Sequence, residues 1–271
     1  TGFGPDGPYS QRRVYDTVIQ GQSGLAASQT GIHDDQPKLI KQLICDKVTA
    51  YTACQAITAA LLARERGSGG QHLELSMLDA CIAFLFVDAA DHEVILDGDH
   101  SGPQAVAAYN TPFAFRDGFA TVAVPDDEEF HGLARAMGVD SSDPDLATVK
   151  DRVAHPDKTR SFHLQVRENA RQLTTTEAEA HLENNGVPFG IVRLVDEVAH
   201  DPQVVANALF SEFDHPAAGR IRHHRSPTRF HGTPAEFREP AAPTLGQHSD
   251  EVAAETGRGD RIKQLRSAGV I

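Results

Sequence analysis

Apolar positions along this chain change period several times, and each change marks an element. From Lys47 to Arg66 the run KVTAYTACQAITAALLARER has no Gly or Pro, and Val48, Tyr51, Ile57, Ala60 and Leu61 recur at helical spacing. A helix is predicted, with Asp46 in the N-cap position and the GSGG run, Gly67 to Gly70, as its stop. His72 to Ser76 alternates like a short strand, and the apolar stretch Met77 to Leu96 reads as a second, buried helix. Tyr109 to Val124 predicts two strands joined at Asp117-Gly118, a dipeptide that favours a tight hairpin.

Further along, helical patterns cover Glu128 to Met137 and Arg160 to Glu183, with a polar, Asp-rich link between them. A short strand is expected at Gly190 to Leu194, a helix at Asp196 to Leu209, and an extended return at Phe210 to Ile221. Ser226 to Leu245 holds Pro227, Pro234, Pro240 and Pro243, the composition of an irregular arm, before a final helix at Ser249 to Ala268.

With 271 residues, 40% of them hydrophobic, the chain can bury a real core. It has no run of 18 apolar residues and no apolar signal-peptide core near its start, so a cytoplasmic protein without a membrane partner is expected. The net charge of -13 argues against a nucleic-acid surface. Cys45, Cys54 and Cys81 form no C-x-x-C pair, so reduced thiols are expected and no metal framework. Asp88, His92 and Glu93 have spacing that could seed a metal site, but no second His pair accompanies them and an exposed helix face accounts for them. His223-His224-Arg225 with Arg220 and Arg222 reads as a solvated turn, and Gly67 to Gly70 lacks the preceding strand and following Lys of a phosphate loop.

Asp46 has two readings. At the start of a helix, free backbone N–H groups and the positive dipole end favour an ionised carboxylate, which is both what a cap needs and what a nucleophile needs. Cys45 beside it is either a second candidate nucleophile or an inert small residue.

Longer motifs bear on that choice. GFGPDGPYSQRRVYDTVIQGQSGLAASQTG, then CDKVTAYTACQAITAALLARERGSGGQHLELSMLDA, resembles the core of the class III CoA-transferase family, which includes formyl-CoA transferase, carnitine CoA-transferase and alpha-methylacyl-CoA racemase relatives. NNGVPFGIV, EVAHDPQV, SPTRFHGTP, APTLGQHSDEV and RIKQLRSAGVI continue the resemblance in order to the end of the chain. It implies an α/β fold of two domains, a large one from residues 1–104 and 196–271 and a small one from 105–195, in an interlocked homodimer. It also implies transfer of CoA from an acyl-CoA to a carboxylic acid, with coenzyme A as substrate and no permanently bound cofactor.

Residue by residue, the family's catalytic Asp falls on Asp46, and a second functional pair falls on Tyr15 and Asp16. Racemase members carry His at the position of Tyr15, and Tyr is a poor base near neutral pH, which favours transfer over racemisation. Arg13 matches a basic residue that contacts CoA, against the reading of a solvated charge. Met77 matches a residue lining the CoA pocket, against that of core packing, and Gln20 and Gln22 are candidates for hydrogen bonds to substrate. Only Gly98 to Gly102 stands where some members have a Gly-rich lid. The family's usual N-terminal βα portion has no counterpart before Thr1, so this chain alone is expected to bind CoA weakly. A silent fragment or assembly partner is the reading from a different class.

Overall fold

The structure is a computed structural model that describes residues 1–30, 36–89, 91–94, 96–97, 111–235 and 242–270. The chain divides into two compact units, Thr1–Ile191 and Val192–Ile271. The expected boundary between large and small domains at 104/105 lies outside the described residues.

The first unit opens with α1, Asp16–Gln22, and the single turn α2, Leu25–Ser28. Gly24 links them at φ 88°, a left-handed conformation that costs a glycine little. The long helix α3 follows at Ile44–Ala63, three residues earlier at each end than the periodicity suggested, and then α4 at Met77–Ala89 and the turn α5 at Asp91–Val94. The helix stop is where glycine spacing put it: after α3 the chain widens into a π-type turn, Arg64–Ser68, with Gly67 at φ 93° and Gly69 beyond it at φ 74°.

The strand expected at His72 to Ser76 does not form, and the chain there is tied to the Thr1–Gly2 segment by isolated hydrogen bonds. Thr1 N–H donates to the Leu75 carbonyl at 2.9 Å, and Met77 and Leu78 donate back to Thr1 and Gly2. Helices α1, α3 and α4 pack on one another around Ile19, Leu25, Cys45 and Cys81. Of the twenty residues of α3 only Cys45 is buried, and Tyr51, Ile57, Leu61 and Leu62 are exposed.

A second, larger cluster lies in residues 111–191. The hairpin at Asp117-Gly118 forms as expected, with β1, Phe113–Ala114, antiparallel to β2, Phe119–Val122. The third strand, β3, Phe189–Ile191, pairs antiparallel with β2, so the order is β1-β2-β3. Against it pack α6, Asp127–Met137, α8, Pro156–Ala170, and α9, Thr175–Asn184, with Phe130, Leu133, Phe162, Val166 and Leu182 fully buried. The Asp-rich link holds one further helix, α7, Val149–Ala154, which the hydrophobic pattern missed. It is fixed by reciprocal hydrogen bonds between Thr148 and Asp151. The single helix expected over Arg160–Glu183 is two, because Thr174 and Glu177 start α9 with the same device.

The second unit is lighter. A helical turn at Val198–His200 and the short α10, Pro202–Ala206, replace the single helix expected there. The expected extended return is an antiparallel hairpin of β4, Phe210–His215, and β5, Gly219–His224. Its terminal helix is split into α11, Ser249–Glu255, and α12, Ile262–Ser267, by a turn at Gly257, φ 68°.

Candidate active site at the start of helix α3

Helix α3 begins without a cap of its own. Leu43 occupies the N-cap position and has no side-chain acceptor, so the first N–H groups of the helix need partners from elsewhere. They find one in Asp16. Its Oδ2 accepts from Cys45 N–H at 2.7 Å and from Asp46 N–H at 3.1 Å, across 29 and 30 residues of sequence. Asp46 is therefore not the cap that its position suggested. It is the third residue of the helix, and its side chain is exposed.

Asp16 is held as firmly as it holds. It starts α1 directly after extended Tyr15, is only 2% exposed, and its Oδ1 accepts from Gln20 Nε2 at 2.6 Å, one helical turn away. Gln20, fully buried, also reaches the loop that leads into α3. Its Nε2 lies 3.1 Å from the Ile40 carbonyl and 3.3 Å from that of Gln42, and its Oε1 accepts from Ile40 N–H at 2.9 Å. A buried carboxylate is tolerable here because two backbone N–H groups and the positive end of the α3 dipole oppose its charge.

The neighbour of Asp46 has the opposite setting. Cys45 is 0% exposed and packs against Cys81 of α4, itself 2% exposed. Burial pushes both thiols up from their ordinary range, and the nearby carboxylates of Asp16 and Asp46 push the same way. Both stay protonated at neutral pH. Of the two candidates at this helix start, only the carboxylate is exposed.

Tyr15 points outward at 77% exposure, and Arg13 and Gln22 are also exposed. Arg12 lies over the Tyr9 ring at 3.7 Å. Met77 is half-buried and packs on the Ile19, Cys45 and Cys81 cluster. The structure thus joins Asp16, Gln20 and the backbone of Asp46 into one hydrogen-bonded group. Cys81 and the Ile40–Gln42 loop belong to the same surroundings, and nothing in their spacing announced it. Gly98 to Gly102 and the His92 side chain lie outside the described residues.

Other candidates are accounted for within the molecule. Arg220 and Arg222 both pair with Glu212, and Arg225 donates to the carbonyls of Asn207, Ala208, Ser226 and Pro227. Among the described residues no cluster of three or more His, Cys, Asp or Glu could hold a metal ion, and no helix is long and apolar enough to cross a membrane.

The sequence model of CoA-transferase family III matches residues 1–249, which include the whole of this helix start. The chain belongs to CoA-transferase family III. Among its relatives in this family, a succinate–glutarate CoA-transferase of Agrobacterium fabrum is 32% identical over 266 residues, 94% of this chain and 64% of that protein. A formyl-CoA:oxalate CoA-transferase of Streptomyces avermitilis is 28% identical over the full chain and 70% of its own length. The human succinyl-CoA:glutarate CoA-transferase is 28% identical, with 62% of it covered. The chain thus spans a little under two thirds of the length of the first of these relatives. In three dimensions it resembles a CaiB/BaiF family protein from Brucella suis, with a TM-score of 0.73 and 28% identity over 94% of this chain and 66% of that one. The fold is that of class III CoA-transferases, mixed helix and sheet, as the motifs implied.

Proposed function

We propose that the chain supplies the nucleophile, Asp46, of a CoA transferase that moves CoA from an acyl-CoA to a carboxylic acid. The observation that carries this is the contrast at the start of α3: an exposed carboxylate on a backbone fixed from behind by a buried one, beside a thiol that burial keeps protonated. Membership of CoA-transferase family III supports the reaction class.

The chemistry is four attacks. An Asp46 oxygen adds to the thioester carbon, the C–S bond breaks, and a mixed anhydride and CoA thiolate result. The thiolate adds to Cγ of Asp46 and expels the donor acid, leaving an aspartyl-CoA thioester. The acceptor's carboxylate adds to the same Cγ, expelling CoA thiolate and giving a second anhydride. The thiolate then attacks the acceptor's acyl carbon, which releases the product thioester and the Asp46 carboxylate. Water must be kept from the anhydrides, so the closed site needs more cover than exposed Asp46 has here. The names of the relatives point to short dicarboxylic acids, such as succinate, glutarate and oxalate, as the substrates to try first.

The remaining parts of the reading are a homodimer, a small domain at 105–195, and CoA contacts from Arg13 and Met77. The separate cluster around Phe130 and Phe162 supports that domain, and exposed Arg13 suits a phosphate. The apolar surface of α3 and α4, with Tyr51, Ile57, Leu61, Leu62 and Phe84 exposed, supports burial against further protein. Sedimentation of the purified protein tests the dimer, and a monomer at micromolar concentration contradicts it. The reaction is tested by incubating that protein with succinyl-CoA and glutarate: glutaryl-CoA should form, and fail to form in Asp46→Ala. Exchange of an alpha-proton of a branched acyl-CoA with deuterated water, in the absence of any acceptor acid, would instead indicate a racemase.

A further inference from the structure

We infer that Asp16 is a positioning residue, which acts on the reaction through the backbone of Asp46 and never touches substrate, and that Gln20 couples this clamp to the Ile40–Gln42 loop. The inference rests on the reading of Asp46 as nucleophile.

Geometry excludes the alternative of a second acid or base. Both Asp16 oxygens are engaged, Oδ2 by Cys45 and Asp46 N–H and Oδ1 by Gln20, and the residue is 2% exposed. Gln20 is fully buried with its amide spent on Asp16, Ile40 and Gln42. Neither side chain has an atom to offer an acyl-CoA.

What the clamp does follows from where it binds. Free N–H groups at a helix start attract any carboxylate within reach, and the nearest is the helix's own Asp46, at the third position. A carboxylate folded back onto those donors has its charge neutralised and is a poor nucleophile. Because Asp16 takes the N–H groups of Cys45 and Asp46 from inside, the Asp46 side chain stays turned to solvent with its lone pairs available. The Asp16 charge also opposes the helix dipole at the point where the dipole would otherwise hold Asp46 too tightly. Gln20 fixes the approach of residues 40 to 42, so the helix start cannot drift away from Asp16.

Asp16→Ala is a weak test because it strips three hydrogen bonds from a buried site. The isosteric Asp16→Asn is the better one. Its one carbonyl oxygen still faces α3, but the charge is gone and its NH2 meets the donating Nε2 of Gln20. In the full-length protein, rapid quench with succinyl-CoA and mass spectrometry gives the rate constant, the amplitude and the KM for the covalent adduct on Asp46. We expect the rate constant in Asp16→Asn to fall about tenfold or more, with KM within about twofold and unchanged amplitude. Hydrogen exchange of the peptide spanning residues 44–47 should quicken about tenfold, while that of α6 is unchanged.

A merely structural role lowers the amplitude, as sites unfold, and leaves the rate constant of the remaining sites intact. That result overturns the inference, as does a wild-type rate constant in Asp16→Asn, or exchange at 44–47 that does not move. Wild-type protein that takes no label on Asp46 defeats the nucleophile reading and the catalytic half of the inference together, and the exchange measurement then judges the clamp by itself.

Discussion

Cys45 and Asp46 are adjacent in sequence and opposite in environment, the thiol fully buried against Cys81 and the carboxylate exposed one position further round the helix. The α3 backbone rotates side chains about 100° per residue, so neighbours on its first turn face core and solvent respectively. Burial raises the Cys45 and Cys81 thiols and leaves them protonated, whereas Cys54 is exposed. Iodoacetamide at pH 7.5 should therefore alkylate Cys54 and spare the other two until denaturant is added. Labelling of native Cys45 at the Cys54 rate contradicts the assignment of its thiol as inert.

The larger core allows a steric prediction. A Cβ at Gly132 of α6 would lie 2.6 Å from the Asn185 carbonyl oxygen and 3.0 Å from Val187 Cγ2. Because the nearer atom is backbone, rotamer change cannot relieve the clash, and α6 must shift from the turn after α9. Gly132→Ala should destabilise by about 1–3 kcal/mol in urea titration, despite alanine's better helix propensity.

In the second unit the strain runs the other way. Ala208 has φ 47°, a left-handed conformation that side chains disfavour, and Arg225 donates to its carbonyl and to that of Asn207. Relief of that strain outweighs the added freedom of the unfolded chain, so Ala208→Gly should stabilise this unit by up to about 1 kcal/mol. Loss of stability in this variant, measured on the same unfolding transition, contradicts it.

A pH dependence follows from His163, half-buried edge-on to Phe130 and Phe162. Burial lowers its pKa, and the Arg167 and Arg152 guanidiniums add to that. The unfolded chain then takes up the proton first. Stability is full above the ordinary histidine range and falls as pH drops through about 6.5 towards the lower folded value. Denaturant midpoints at pH 7.5 and 5.5 should show this loss, and His163→Phe, which keeps an aromatic ring there, should reduce it. An equal loss in both proteins assigns the effect elsewhere.

Which features the chain revealed by itself depended on how local their causes are. Helix α3 was legible because Ala and Leu propensity, helical spacing and a glycine stop all lie within it. The Asp117-Gly118 hairpin was legible for the same reason. The cap of α3 was not, because its acceptor, Asp16, comes from 30 residues earlier, and local pattern credited Asp46 instead. Burial of Gln20 was likewise hidden: an amide side chain looks available until the Ile40 and Gln42 backbone closes on it. Helix α7 was missed for a different reason. Thr148 and Asp151 spell out a capping pair, but the acidic residues around them weakened the apolar signal. The site itself was found through long family motifs, since a carboxylate on the first turn of a helix is too common a pattern to single out Asp46.

Covalent trapping tests the role of Asp46 as nucleophile most directly. Full-length protein incubated with succinyl-CoA and then hydroxylamine or borohydride should show, by peptide mass spectrometry, modification at Asp46 that is absent from Asp46→Ala. Modification at another residue, or turnover that survives Asp46→Ala, contradicts it.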